Sequence, residues 1–261
     1  MIHVAQRGRN LSLVRMAAGP ARTGNRDRRP SERTLSVIAV VLTFASGGMD
    51  VSCFARLGNV FASVMTGNMV VFGLSLARGS LSLGLHTGAA VCGYAAGVAV
   101  ATRFSPRHVS AGSQWPARVT ALLLAELALL ACFTAGWEAA GSQPAGGRQI
   151  VVLVVAACSM GIQSAAVVQM GLGHVSTTYL TGTLTGLVSS LVQRDGSSPG
   201  QARLRRPGVL LGLLAGATLT GLLLAHAAAI APLPPLLAVA AAAYLTTVRA
   251  ARKVTREYLR D

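Results

Sequence analysis

Residues 60–77 read VFASVMTGNMVVFGLSLA, and residues 175–192 read VSTTYLTGTLTGLVSSLV. Both stretches are apolar and short for a membrane crossing, which takes about 20 residues. Both are interrupted near the middle, the first by Thr66-Gly67-Asn68 and the second by Thr181-Gly182-Thr183. Glycine and asparagine are poor helix formers, and threonine and asparagine favour capping positions. The pattern predicts a helix break in each stretch, with a new helix starting near Met69 in the first. Whether these stretches cross a membrane or dip in and return decides the fold.

Six further apolar stretches surround them, at residues 35–53, 83–102, 119–137, 150–170, 209–229 and 233–248. The composition agrees with a membrane protein. Of 261 residues, 52% are hydrophobic and 12% charged, with a net charge of +15. Soluble domains carry about 25% charged residues, and basic disordered chains are far less oily. A soluble enzyme and a free nucleic-acid binder are both excluded. The four cysteines, Cys53, Cys92, Cys132 and Cys158, lie in apolar runs without CxxC spacing. They read as buried apolar residues, with neither a disulfide nor a metal site expected.

The arginines choose between six spans and eight. If all eight stretches cross and the basic N-terminus is inside, the loop carrying Arg103, Arg107 and Arg118 falls outside, against the positive-inside rule. If the two interrupted stretches return to the side they came from, that loop moves inside. So do Arg194, Arg203, Arg205, Arg206 and the C-terminal tail. Twenty of the 23 basic residues then share one face, and only Arg56, Arg78 and Arg148 lie on the other. Six spans fit better; eight stay open, as do broken full spans.

The order of segments repeats. Gly58, Val60, Thr66 and Gly67 recur 115 residues later as Gly173, Val175, Thr181 and Gly182. Gly48-Met49-Asp50 matches Gly161-Ile162-Gln163 after a two-residue shift. The expected organisation is a disordered Arg-rich cytoplasmic tail at 1–34, a first membrane repeat at 35–138 and a linker at 139–149. A second repeat follows at 150–248, then a basic cytoplasmic tail at 249–261. Three crossings per half would make the halves inverted, as in many secondary transporters. No signal peptide is expected, because no apolar core precedes a small-residue cleavage site.

Candidate site residues follow from the breaks. A half-helix start offers free N–H groups and partial positive charge, and irregular backbone survives at membrane depth only when packed or wet. The two breaks are expected to meet near the midplane. A substrate site there would be lined by Asp50, Asn59, Thr66, Gly67, Asn68, Gln163, Thr181, Gly182 and Thr183. The competing reading is that Thr and Gly simply permit close helix packing. Asp50, near the end of the first span, and Glu126, deep in residues 119–137, are candidates for proton or ion coupling, since intramembrane acids are costly. The alternative for Asp50 is an interfacial pair with Arg56; for Glu126 it is a structural hydrogen bond. His86, His174 and His226 read as structural, and Gln169 and Tyr179 as weak pocket candidates. Trp137 reads as an interface anchor. The chain shows no GxSxG, HExxH, Walker A or Rossmann pattern. No enzyme, cofactor or metal is expected.

These residues resemble a known family. Gly48-Met49-Asp50, Gly58-Asn59-Val60-Phe61 and Met65-Thr66-Gly67-Asn68 look like the first-half signature of the YoaK-like bacterial membrane proteins. Gly161-Ile162-Gln163-Ser164-Ala165 and Thr177-Thr178-Tyr179-Leu180-Thr181-Gly182-Thr183-Leu184-Thr185 look like the second. The resemblance covers residues 35–248 and implies a multi-pass bacterial inner-membrane protein. It supplies no substrate or catalytic residue, because the family is a domain of unknown function. The expectation is an all-α integral membrane protein of two repeated halves, a transporter or channel for a small solute, with both termini cytoplasmic. The expected partners are the lipid bilayer, anionic lipids at the basic tails and a second copy of the chain, with no nucleic acid. The alternative is a non-transporting scaffold, sensor or assembly partner.

Overall fold

The computed structural model describes residues 32–103, 115–170, 180–192 and 200–258, and their secondary structure is helical throughout, without strands. Eight α-helices follow in order: α1 Glu32–Arg56, α2 Met65–Arg78, α3 Leu81–Arg103, α4 Trp115–Ala139, α5 Gly147–Gln169, α6 Leu180–Val192, α7 Gly200–His226 and α8 Leu233–Tyr258. A 3-10 turn, Ala228–Ile230, leads into α8.

Length separates two classes. Among the described residues, six helices are long and apolar enough to cross a membrane: Arg33–Arg56, Leu81–Arg103, Ala117–Ala139, Gly147–Gln169, Pro207–His226 and Ala228–Val248. The 14 residues of α2 and 13 of α6 reach only about 20 Å at 1.5 Å per residue, against a hydrocarbon core of about 30 Å. The first interrupted stretch is therefore a short helix and not a span, and the described part of the second is as short.

The position of the first break differs from the sequence expectation. Thr66-Gly67-Asn68 lies within the first turn of α2, which starts at Met65 and not near Met69. The irregular backbone lies upstream, at residues 57–64. Thr181-Gly182-Thr183 likewise opens α6. Both triplets lie in the first turn of a helix, and the N-cap of α2 is Val64, without a side-chain capping bond.

Helix pairing has a two-fold pattern. α1 packs on α7 as α5 packs on α3, α4 on α5 as α8 on α1, and α2 on α3 as α6 on α7. Exchanging α1 with α5, α2 with α6, α3 with α7 and α4 with α8 returns these same partners, while α7 also touches α8. Small residues set the two closest contacts. In α7, Gly212 and Gly216 lie against the carbonyls of Val40 and Phe44; in α3, Gly93 and Gly97 lie against those of Val154 and Cys158. Gly47 meets Leu213 as Gly161 meets Tyr94. These matched contacts fix the register of the repeat: Gly47, not Gly48, is the counterpart of Gly161. Asp50 therefore corresponds to Ser164, and the sequence-based match of Asp50 with Gln163 is off by one residue.

The same contacts give directions. Residue numbers rise together along α1 and α7, which are parallel, and along α3 and α5. α1 and α5 are antiparallel, because Gln149 bonds to Arg56 while Gln163 bonds to Leu42. One end of the bundle gathers the end of α1, the start of α3, the end of α4, the start of α5 and the end of α7. Arg56 donates to Leu224 O, Gln149 to Arg56 O, and Trp137 Nε1 to Ala228 O there. The chain thus leaves α1 and re-enters α3 at the same end.

Three smaller expectations change. Trp137 sits at a span end but is fully buried and tilted against Phe133, so it packs the core and does not face lipid headgroups. Cys53 is buried, whereas Cys92 and Cys132 are exposed on outer helix faces, where lipid accepts an apolar thiol as readily as a core does. α1 begins at Glu32 and α8 continues to Tyr258, so helix extends into both segments assigned to tails. His174, Tyr179 and residues 1–31 lie outside the described residues.

Candidate functional site

The C-terminal third of α1 carries Asp50 on a buried face with Ser46, Met49 and Cys53. Beyond Arg56 the chain turns at Gly58, whose φ of 92° is a left-handed conformation that glycine adopts without strain. A Cβ at Gly58 would also strike the His86 ring. Asn59 follows at φ 57°, a conformation asparagine tolerates better than most residues. Residues 57–64 then fold back against the bundle, with Leu57, Val60, Ala62 and Ser63 buried.

Buried irregular backbone needs partners, and two side chains supply them. The Asp50 carboxyl accepts the Ser63 N–H at 2.7 Å and the Ser63 hydroxyl at 2.6 Å. Asn68, fully buried in the first turn of α2, clamps Phe61 from both sides. Its Oδ1 accepts the Phe61 N–H at 2.9 Å and its Nδ2 donates to Phe61 O at 2.7 Å. Phe61 stacks on Phe54 of α1, with ring centroids 5.1 Å apart. Asp50 is therefore a loop anchor and not a partner of Arg56. Asn68→Ala removes both Phe61 bonds and leaves buried amide groups unmatched. The expected cost is about 2 kcal/mol, read as a lower midpoint of thermal unfolding in detergent, with Thr66→Ala, at an exposed position, close to neutral.

A second network closes the same end. His86 Nδ1 lies 2.7 Å from Ser82 O and Nε2 lies 2.9 Å from Gln149 Oε1, while Gln149 Nε2 donates to Arg56 O at 2.7 Å. This ties α3 and α5 to the end of α1. The structural reading of His86 fits these bonds.

The remaining sequence candidates separate. Gln163 is buried on α5, and its Nε2 donates to Leu42 O and Ser46 Oγ of α1, at 3.1 and 2.7 Å. Thr66 and Asn59 are exposed, and Gly67 is half-buried against Phe61 and Val64. Thr181 and Gly182 are exposed and Thr183 is buried at the register of Asn68. α2 packs on α3 and α6 on α7, so the two Thr-Gly triplets stand on separate helix pairs. Instead Asp50 and Asn68 converge on the loop, Gln163 on the α1–α5 contact, and Thr183 belongs to α6. Asp50, His86 and Glu126 likewise do not converge. Two residues escaped the sequence reading: Ser63, which Asp50 holds, and Ser46, which Gln163 holds. Ser46 was within reach, since it precedes Asp50 by four residues and so shares its helix face.

Some buried polar atoms have no hydrogen-bond partner: both carboxyl oxygens of Glu126, Gln163 Oε1, and the hydroxyls of Thr120 and Thr220. Thr220 lies beside Gly48 and Pro235, where α1, α7 and α8 meet.

The sequence profile of a family described as "Protein of unknown function (DUF1275)" matches residues 38–245. The chain is 30% identical over 154 residues to the UPF0700 transmembrane protein YoaK of Bacillus subtilis (strain 168). That match takes in 59% of this chain and 66% of YoaK, just under two thirds of the relative's length. No solved structure is significantly similar. The resemblance read from the paired glycine and threonine strings is borne out, and the match spans both halves of the helical bundle: the chain is a multi-pass membrane protein of the DUF1275 family.

Proposed function

We propose that this protein is a transporter or channel for a small solute, built from two inverted halves in the bacterial inner membrane with both termini cytoplasmic. The observation that carries the reading is the exchange pattern of helix contacts: equivalent helices α1 and α5 are antiparallel, and each half holds one helix too short to cross. Inverted repeats with discontinuous segments are a recurrent transporter architecture. The solute path in this reading runs along the α1–α5 contact, past Gln163 and Ser46. The loop at 57–64 and the start of α2 form one entrance, with Asn59, Thr66 and Gly67, and the start of α6 forms the other, with Thr181, Gly182 and Thr183. Asp50 and Asn68 hold the first entrance in shape.

Flux of small solutes into proteoliposomes tests this directly. A solute whose flux is lost in Gln163→Leu, while that variant stays folded and monodisperse in detergent, supports the path. Failure of a broad solute screen, with Thr66→Val and Gln163→Leu leaving the cellular phenotype intact, contradicts it. The scaffold reading has one observation of its own: Asp50 and Asn68 spend their polar groups on their own loop. A stoichiometric partner that co-purifies, with no thermal shift from any solute, would favour that reading.

A further inference from the structure

We propose that Glu126 is a proton-binding site at the centre of the bundle, and that it exchanges its proton with water through the protein interior. Coupling of that proton to solute movement rests on the transporter reading above; the site itself does not.

Four helices form a closed ring. α4 packs on α5, α5 on α1, α1 on α8 and α8 on α4. Glu126 lies on the stripe of α4 that faces inward: Val119, Leu123, Glu126, Leu130, Phe133 and Trp137 are all buried, at the three- and four-residue spacing of one helix face. Glu126 itself has no exposed surface. It stands near the middle of Ala117–Ala139, the depth farthest from water.

The matching stripe on α8 shows that the fold does not require an acid there. Pro235, Val239, Ala242 and Thr246 are buried at the same spacing, and a displacement of 116 residues places Ala242 where Glu126 stands. A small apolar residue fills that position in the second half. The carboxyl is therefore an addition to a packing scheme that closes without it.

The surroundings select its ligand. Both Glu126 oxygens lack a hydrogen-bond partner, and so does Gln163 Oε1. Gly136 packs against Val152, and α4 and α5 are antiparallel neighbours, so Glu126 is level with Ile162, the residue next to Gln163. Three acceptor oxygens thus occupy one depth with no donor bonded to them. Among the described residues, the basic side chains of the spans stand at helix ends, at Arg33, Arg56, Arg103, Arg118 and Arg148, and Arg78 ends α2. A metal cation takes about six oxygen ligands, more than two side chains supply within walls of Leu, Val, Ala and Phe. A proton needs one oxygen and turns the carboxyl into a donor that an acceptor such as Gln163 Oε1 can receive.

Infrared spectroscopy of the full-length protein in liposomes reads this site without any solute. The expected result is a protonated-carboxyl band that shifts when the buffer is changed to D2O. It disappears in Glu126→Gln, moves in Glu126→Asp and persists in Asp50→Asn. The aspartate variant keeps a carboxyl, so a folded protein with an altered band separates loss of the group from loss of the fold. A band unchanged in Glu126→Gln, or one that never exchanges with D2O, overturns the proposal. So does a band abolished by replacing potassium with sodium in the buffer, which would make the ligand a metal cation. An exchanging Glu126 band with no solute flux would sink the transporter reading alone; flux with a non-exchanging band would sink the proton site alone.

Discussion

Gly216→Ala and Gly97→Ala are expected to destabilise the protein by about 1–3 kcal/mol each, and by similar amounts. A Cβ at Gly216 lands on the Phe44 carbonyl, and one at Gly97 on the Cys158 carbonyl. Both obstacles are helix backbone, which cannot swing aside as a side chain would. Relief requires α7 to move off α1, or α3 off α5, with the strain typical of an overpacked core. Gly88→Ala is the control within α3. Nothing lies within 4 Å of its Cβ position, so helix propensity governs, and alanine is favoured over glycine by about 1 kcal/mol. Thermal unfolding in detergent should lower the midpoint for the first two and leave or raise it for the third. Unequal losses at Gly216 and Gly97 would mean that the two contacts are not equivalent.

Asp50→Ala is expected to be among the most damaging single changes outside the glycines. It removes two bonds to a carboxyl, each worth about 1.5–3 kcal/mol, and leaves the Ser63 N–H buried without a partner. Asp50→Asn should cost far less. Its Oδ1 still accepts the Ser63 N–H, and its Nδ2 donates to the Ser63 hydroxyl, which accepts as well as donates. Expression level and monodispersity in detergent should therefore fall steeply for alanine and hold for asparagine. An asparagine variant as damaged as alanine would mean that Asp50 does more than anchor residues 57–64. If asparagine folds normally yet abolishes a solute flux, the carboxyl's charge is part of the mechanism.

Much of the architecture is legible in the residues themselves. The six spans follow from apolar length, and arginine placement explains why Arg103 and Arg118 belong on the face opposite Arg56 and Arg78. The short helices were visible as interrupted stretches. Their boundaries were not, because Thr66-Gly67-Asn68 suits both a break and a first turn, and only the partners of Asn68 decide between them. The duplication was visible in the Thr-Gly pair. Its register at Asp50 was not, because Gly47 and Gly48 adjoin and only the contact with Leu213 distinguishes them. The role of Asp50 was the hardest to read. A carboxyl near the end of a span suggests an ion, and its bonds to Ser63, thirteen residues away, cannot be seen in the sequence. Glu126 is the converse case. Its depth was legible, and its lack of partners emerges only from the ring of α1, α5, α4 and α8.

If α2 returns the chain to the face where α1 ended, six crossings leave the halves inverted. Single cysteines in place of Ala55, Arg78 and Ala117, all exposed, test it in a background lacking the four native cysteines. Labelling with a membrane-impermeant maleimide in intact cells and in inverted vesicles is the readout. Six crossings predict that positions 55 and 78 react from the same side, the outside, and 117 from the other. Eight spans would instead group 55 with 117 and place 78 opposite, and that result would contradict it.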